Sequence, residues 1–153
     1  MTYDFSRVTE RLFVGAQINT QSDVDELVAA GVTHLIDAEI EHNDATIQLI
    51  RPMPFNYLWN PTADDGQPKP QQWFQKALDA AMPAMSQPGK IVLTHCAAGV
   101  NRGPSLAFAI LRAQGLNHDQ AIVLLNSARP VTIPGVRYAG DADKALAALG
   151  WSK

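Results

Sequence analysis

The segment KIVLTHCAAGVNRGPSLAFAILRAQ, residues 90–114, restricts the fold more than any other stretch of this chain. Residues 91–96 form a near-continuous apolar run, the pattern of a strand buried on both faces at the centre of a sheet. Small residues follow, and then Pro104, read as position N1 of a helix, where its missing N–H costs nothing. That helix, residues 104–114, is apolar on most sides and stops at Gly115, so it is expected to be buried. A buried strand that passes through a short loop straight into a buried helix belongs to an α/β protein.

The rest of the chain repeats the theme. Residues 11–16 read as a short strand. Ser22 or Asp23 can cap a helix running to residue 30, with Val24, Leu27 and Val28 on one side and Gly31 as its stop. Residues 32–38 and 55–59 read as further strands. Residues 60–70, with three prolines and two adjacent aspartates, read as a long loop. A helix follows over 71–86, with Pro83 expected to kink or shorten it. Two more helices are expected over about 117–127 and about 135–149. With 153 residues, 46% of them hydrophobic, the chain suffices for one domain with a real core, and residues 1–153 are read as a single unit.

Composition narrows the function classes. A net charge of −3 argues against broad binding to nucleic acid or an anionic membrane. No apolar run is long enough to span a bilayer, and MTYDFSRVTE lacks the charge and hydrophobic pattern of a signal peptide. Cys96 is the only cysteine, so no intrachain disulfide forms, and a reducing, cytoplasmic setting is the natural expectation. The four histidines match no zinc spacing, so no metal and no cofactor is expected, and a monomer is the default.

The loop HCAAGVNR carries the chemistry. A strand end followed by a helix start turns successive backbone N–H groups, and the positive end of the helix dipole, toward one point where an anion can sit. Ala97, Ala98 and Gly99 do not obstruct the curve, and Val100 and Asn101 complete it. Arg102 adds a planar fork that can hold two phosphate oxygens. The same field favours a thiolate at Cys96, because cysteine pKa values fall from about 8.5 to roughly 3.5–7.5 at helix N-termini and beside cations. The plainer reading makes Cys96 a small core residue and Arg102 a surface charge.

HCAAGVNR also resembles the His-Cys-x5-Arg signature of the cysteine-dependent protein tyrosine phosphatases. The opening RLFVGAQ and DVDELVAAGVTHLIDA look like the dual-specificity branch, and the likeness runs from about residue 8 to 130. The resemblance implies a three-layer α/β/α fold around a central, mostly parallel sheet. It also implies two-step phosphoryl transfer through a cysteinyl phosphate on Cys96, without metal. By the same resemblance His95 is structural, bonding the loop's backbone and fixing the cysteine. Most members carry Ser or Thr after the arginine, where its hydroxyl helps the thiolate leave. Here Gly103 and Pro104 follow, similar to the phosphatases of regenerating liver, and Ser105 comes two places later. Slow hydrolysis of the thiophosphate is therefore expected.

A carboxylic acid that protonates the leaving oxygen is worth about 10²–10⁴-fold. WNPTADDGQP offers Asp64 and Asp65, both at the family's usual separation from the cysteine. Asp-Asp-Gly-x-Pro resembles the regenerating-liver group, in which the second aspartate is the acid, whereas Asp-x-Gly-x-Pro in receptor-type relatives would pick Asp64; the balance favours Asp65 slightly. Mutual repulsion could raise one of the two pKa values. Against this, Asp-Gly is an ordinary turn pair. Trp59 reads as a wall of that loop or as a core residue. Arg129-Pro130 resembles a family feature, and Arg129 also fits a plain helix C-terminal charge.

No lysine lies within AAGVN, which disfavours inositol phosphates, and the acidic chain disfavours RNA ends. The expected substrates are phosphotyrosine and phosphoserine or phosphothreonine, in a phosphorylated protein or a small phosphate monoester, with an acidic optimum. The competing reading is a catalytically weak module that binds phosphate or phosphoproteins. Blander still is a scaffold without a phosphate site.

Overall fold

The computed structural model describes residues 2–46 and 54–151. Five strands form one sheet: β1 (Phe5–Arg7), β2 (Leu12–Gly15), β3 (His34–Glu39), β4 (Asn56–Thr62) and β5 (Val92–His95). Their order is β1-β2-β5-β3-β4. β5 is central and runs parallel to both neighbours, with Val92 beside Leu12 on one side and beside His34 on the other. β4 continues the parallel set, while β1 lies antiparallel on the β2 edge, with Phe5 opposite Gly15.

Side-chain alternation along the strands divides the core into two layers. Phe13, Leu35 and Leu93 point to one face, where they meet Val24 and Leu27 of α1 (Gln21–Ala29). Leu12, Val14, Ile36 and Val92 point to the other face. There they are covered by α2 (Gln71–Met85), α3 (Arg102–Ala113), α4 (His118–Ala128) and α5 (Ala139–Leu149). The result is the expected three-layer α/β/α arrangement with a mostly parallel sheet. α3 is its central helix: every residue from Arg102 to Leu111 is buried, and Phe108 is fully enclosed. Truncating such a phenylalanine to alanine costs about 3–5 kcal/mol.

Several boundaries differ from the sequence expectation, each for a local reason. Thr20, not Ser22 or Asp23, caps α1: its side chain accepts from the Asp23 N–H, and the Asp23 carboxylate accepts from the Thr20 N–H. This is a capping box, with Asp23 in the third helical position. β4 continues through Asn60 and Pro61 to Thr62, shortening the expected loop, because it pairs in parallel with β3 as far as Glu39. Pro104 is the third residue of α3, still within the first turn, where no N–H partner is required. Pro83 lies in the last turn of α2, which ends at Met85. α5 begins at Ala139, since Gly135 (φ 87°) and Val136 (φ 55°) hold the preceding backbone in left-handed conformations. β1 escaped detection because three half-exposed residues carry too little pattern.

Candidate active site

β5 ends at His95 and delivers Cys96 to the carboxyl edge of the sheet. Its thiol is buried, 3% exposed, and Sγ accepts a hydrogen bond from Gly103 N–H at 3.2 Å. From Ala97 to Asn101 each carbonyl group finds a partner outside the loop's curve. Ala97 O accepts from Gln17 N–H (3.0 Å), and Val100 O from Ile133 N–H (3.1 Å). Ala98 O and Gly99 O accept from Arg129 Nη2 and Nε, at 3.2 and 2.7 Å. Asn101 O accepts from both the amide and the hydroxyl of Ser105. A trans peptide directs its N–H opposite to its C=O. Five carbonyls turned outward therefore turn the N–H groups of Ala98, Gly99, Val100, Asn101 and Arg102 toward the inner side of the loop that starts at Cys96.

Arg129 is the outer brace of this loop. It is buried, and besides the two loop carbonyls it forms a bidentate pair with Asp4, both bonds 2.9 Å. Gly99 has φ 70°, and a Cβ there would come within 2.5 Å of Arg129 Nη2. The brace and a side chain at position 99 exclude each other. A solvent-facing helix-end charge is thus the wrong description of Arg129.

Arg102 is also buried, 3% exposed, so it is no surface charge. Nη1 and Nη2 donate to the two oxygens of Glu41 at 2.8 and 2.9 Å, and Nη1 also donates to Thr62 O at 2.9 Å. Nε is buried without a partner. The hydrogen bond from Arg102 holds the Glu41 carboxyl down to about 2. Burial opposes the charge on Arg102, but Glu41 outweighs it and strengthens the guanidinium's hold on its proton.

The two loop aspartates part company. Asp64 faces the cradle: Oδ2 accepts from Asn101 Nδ2 at 3.0 Å and Oδ1 from the Tyr138 hydroxyl at 2.8 Å. Arg137 Nη1 lies 3.7 Å away. Asp65 turns to solvent and pairs with Lys69 Nζ at 2.9 Å. That hydrogen bond lowers the Asp65 carboxyl below its ordinary value, so Asp65 is not a carboxyl raised by its neighbour. Tyr138 steadies the segment by accepting from Gly66 N–H. The slight sequence preference for Asp65 does not match this arrangement. Only Asp64 touches the cysteine loop.

Residues 12–141 match the family model described as "Dual specificity phosphatase, catalytic domain". The chain belongs to the dual specificity phosphatase family. Dual specificity protein phosphatase 26 of Rattus norvegicus is 32% identical over 100 residues, 65% of this chain and 47% of that protein. Dual specificity protein phosphatase 2 of Mus musculus is 25% identical over 130 residues, 84% of this chain and 39% of that protein. The chain thus spans about half the length, or less, of these curated relatives. A mouse putative dual specificity phosphatase complexed with zinc tungstate superposes with TM-score 0.75 at 22% identity, covering 97% of this chain and 91% of that one. Human tyrosine phosphatase-like serine/threonine/tyrosine-interacting protein gives TM-score 0.75 at 20% identity, covering 96% and 98%. These two likenesses speak to the fold.

Within this dual specificity phosphatase fold, His95 departs from its expected contact. Its ring does not bond the loop backbone. Nε2 lies 2.6 Å from Asp44 Oδ2 and 3.7 Å from Asp37 Oδ1, and Nδ1 lies 3.2 Å from Glu39 Oε1 without hydrogen-bond alignment. Burial opposes its charge, but the carboxylates of Asp44 and Glu39 outweigh burial and raise its pKa well above the ordinary value. Asp44 comes from the 3₁₀ turn Asp44–Thr46 that follows β3.

Ser105 donates its hydroxyl to Asn101 O at 2.6 Å and so braces the loop's exit into α3. The Gly103 carbonyl accepts from Thr94 Oγ1 at 2.8 Å, and a Cβ on Gly103 would lie 3.3 Å from His95 Cα. Trp59 is 40% exposed, with Nε1 donating to Glu39 O at 2.7 Å, so it is an outer wall and not core. Glu41, Tyr138 and the Asn101 side chain were not singled out from sequence. None sits in a spacing that marks a site, and each acts through a partner about 37–74 positions away.

Proposed function

We propose that this chain is a cysteine-dependent phosphatase that hydrolyses phosphotyrosine, phosphoserine or phosphothreonine esters of a phosphorylated protein. In this reading residues 1–153 act as one catalytic domain, as a monomer, in a reducing compartment such as the cytoplasm. The observation that carries it is the cysteine loop: five consecutive carbonyls bonded outward, five N–H groups turned inward, and a buried thiol at its start.

The phosphate dianion sits on the N–H groups of residues 98–102, with the Arg102 fork held square by Glu41 and its unpartnered Nε available to an equatorial oxygen. Cys96 Sγ, as thiolate, attacks phosphorus. The S–P bond forms as the ester P–O bond breaks, and the leaving oxygen takes a proton from Asp64. Asn101 and Tyr138 fix that carboxyl group over the loop. Water then attacks phosphorus, Asp64 receives the water's proton, and the S–P bond breaks to return the thiolate and inorganic phosphate. Asp65, bonded to Lys69, has a part in neither step.

The deciding experiment is turnover of para-nitrophenyl phosphate by wild type and Cys96→Ser, with tungstate binding measured on both. Turnover in wild type, its loss in Cys96→Ser, and tungstate binding by both is the expected result. Tungstate binding with no wild-type turnover would mean a phosphate-binding module, and neither activity would mean a scaffold. A rate still rising above about pH 8 would contradict a protonated Asp acting with a thiolate.

A further inference from the structure

Beyond the phosphate site, the carboxyl edge of β3 and β5 holds a second concentration of titratable groups. Asp37, Glu39, Asp44 and His95 are each fully buried, and one donor atom from each lies within 4.8 Å of the others. Three carboxylates thus surround one imidazole. Even with both ring nitrogens protonated, the imidazole supplies one positive charge to three carboxyl groups. Among the described residues no lysine or arginine pairs with any of the three carboxylates.

Hydrogen bonding does not resolve the imbalance. Asp37 is well served, accepting from Glu39 N–H (2.9 Å), Asp44 N–H (3.2 Å) and the Tyr57 hydroxyl (2.9 Å). Glu39 is not: both of its carboxylate oxygens are buried and accept no hydrogen bond. Asp44 Oδ1 and His95 Nδ1 are likewise buried without a hydrogen-bond partner. A buried carboxylate without hydrogen bonds costs several kcal/mol unless a charge meets it, and the one imidazole beside Glu39, with Nδ1 3.2 Å from Oε1, is shared with Asp44 and Asp37. The orphaned atoms belong to residues from three different stretches of chain, and one donor atom from each of these residues lies within 4.8 Å of the others. His42 stands at the rim, its side chain 24% exposed and Nε2 3.7 Å from Asp44 Oδ1, on the side where the cluster approaches solvent.

We infer that Asp37, Glu39, Asp44 and His95 form a binding site for one divalent transition-metal ion of the zinc or manganese class, distinct from the phosphate cradle. One imidazole nitrogen with carboxylate oxygens is a donor set for such ions; calcium and magnesium take oxygen alone. Ligand atoms of a tetrahedral zinc ion lie about 3.3–3.6 Å apart, so the widest of the observed separations, up to 4.8 Å, must close by about 1 Å as the ion binds. The ion ties β3 and the turn after it to the last residue of β5, the residue that precedes Cys96. Its place is structural: it meets neither Sγ nor the inward N–H groups.

The test is made on the full chain, stripped with a chelator, in a Cys96→Ser background so that the thiol cannot compete for metal. Calorimetric titration with zinc, and separately with manganese, is expected to show one saturable site per chain for at least one of them, with a rise in melting temperature. Glu39→Gln removes a ligand and should weaken that binding by more than about 100-fold, beyond the loss typical of an outer-shell partner. Absence of saturable binding for both ions, or undiminished binding in Glu39→Gln, overturns the inference. Should Glu39→Gln not fold, anomalous scattering from a crystal of the parent soaked in zinc decides. A peak between Glu39 and His95 supports the site, and a peak only elsewhere, or none, refutes it.

Discussion

Glu41 and Arg102 meet through two parallel hydrogen bonds, 2.8 and 2.9 Å long, although 61 positions separate them in the chain. A fork held in this way presents its remaining edge at a fixed angle. Glu41→Gln keeps the size and loosens the grip. It should lower kcat/KM on para-nitrophenyl phosphate about 10-fold, chiefly through KM, because a misoriented arginine binds the ground-state dianion less well. A purely structural role would change the melting temperature and leave KM alone.

The same pair has a defined pH window. The Glu41 carboxyl is held down to about 2 by its hydrogen bond to Arg102, below the unfolded value of about 4.3. A lowered folded pKa contributes stability that is complete above the unfolded value and fades as pH falls toward the folded one. The melting-temperature gap between wild type and Glu41→Gln should therefore be constant above about pH 5 and shrink below about pH 4. A gap that widens on acidification would contradict the pairing.

Asp64 and Asp65 are adjacent in sequence and opposite in environment. On an alkyl phosphate, whose leaving group needs a proton, Asp64→Asn should cost about 100-fold in kcat and Asp65→Asn less than about 2-fold. On para-nitrophenyl phosphate, which departs more easily, the gap should narrow. Equal, near-wild-type rates for both variants would remove the general acid from this loop.

Arg129 holds Ala98 O, Gly99 O and Asp4 together from one buried guanidinium. Arg129→Met leaves those carbonyls without donors and should destabilise the protein by about 2 kcal/mol, with loss of tungstate binding. Gly99→Ala should fail similarly, since the residue has φ 70° and its Cβ would meet Arg129 Nη2 at 2.5 Å. Chemical denaturation and tungstate titration check both.

No hydroxyl follows Arg102 directly, and the Ser105 hydroxyl is engaged by Asn101 O. Hydrolysis of the cysteinyl phosphate should then limit turnover. Rapid-mixing kinetics should show a burst of product close to one equivalent of enzyme, followed by a slower linear phase. A linear time course at high turnover would refute this. Ser105→Ala should reduce stability by about 1 kcal/mol and leave the burst in place.

The sheet's centre was legible because residues 91–96 leave no room for polar alternation, and the helix after them because Leu106, Phe108 and Ile110 are all apolar. The anion loop was legible because short-range chemistry dictates it: small residues, a helix start and an arginine within one turn. What escaped was long-range. Glu41 looks like any exposed acid until β4 carries Thr62 past it and α3 brings Arg102 under it. His95 was expected to serve the loop, yet its ring turns toward three acids that no strand-period or zinc-spacing rule gathers. The slight sequence preference for Asp65 rested on a motif alone, which does not show that Tyr138 bonds Asp64 and Lys69 bonds Asp65.

The outward bonding of the loop's carbonyls has a corollary for tolerance to change. In the proposed reading, Ala98 and Val100 offer the anion their main-chain N–H groups, and their side chains take no part in the grip. Substitutions at these two positions should retune which esters are accepted while the oxyanion is held as before. Gly99, pressed against the brace, has no such latitude.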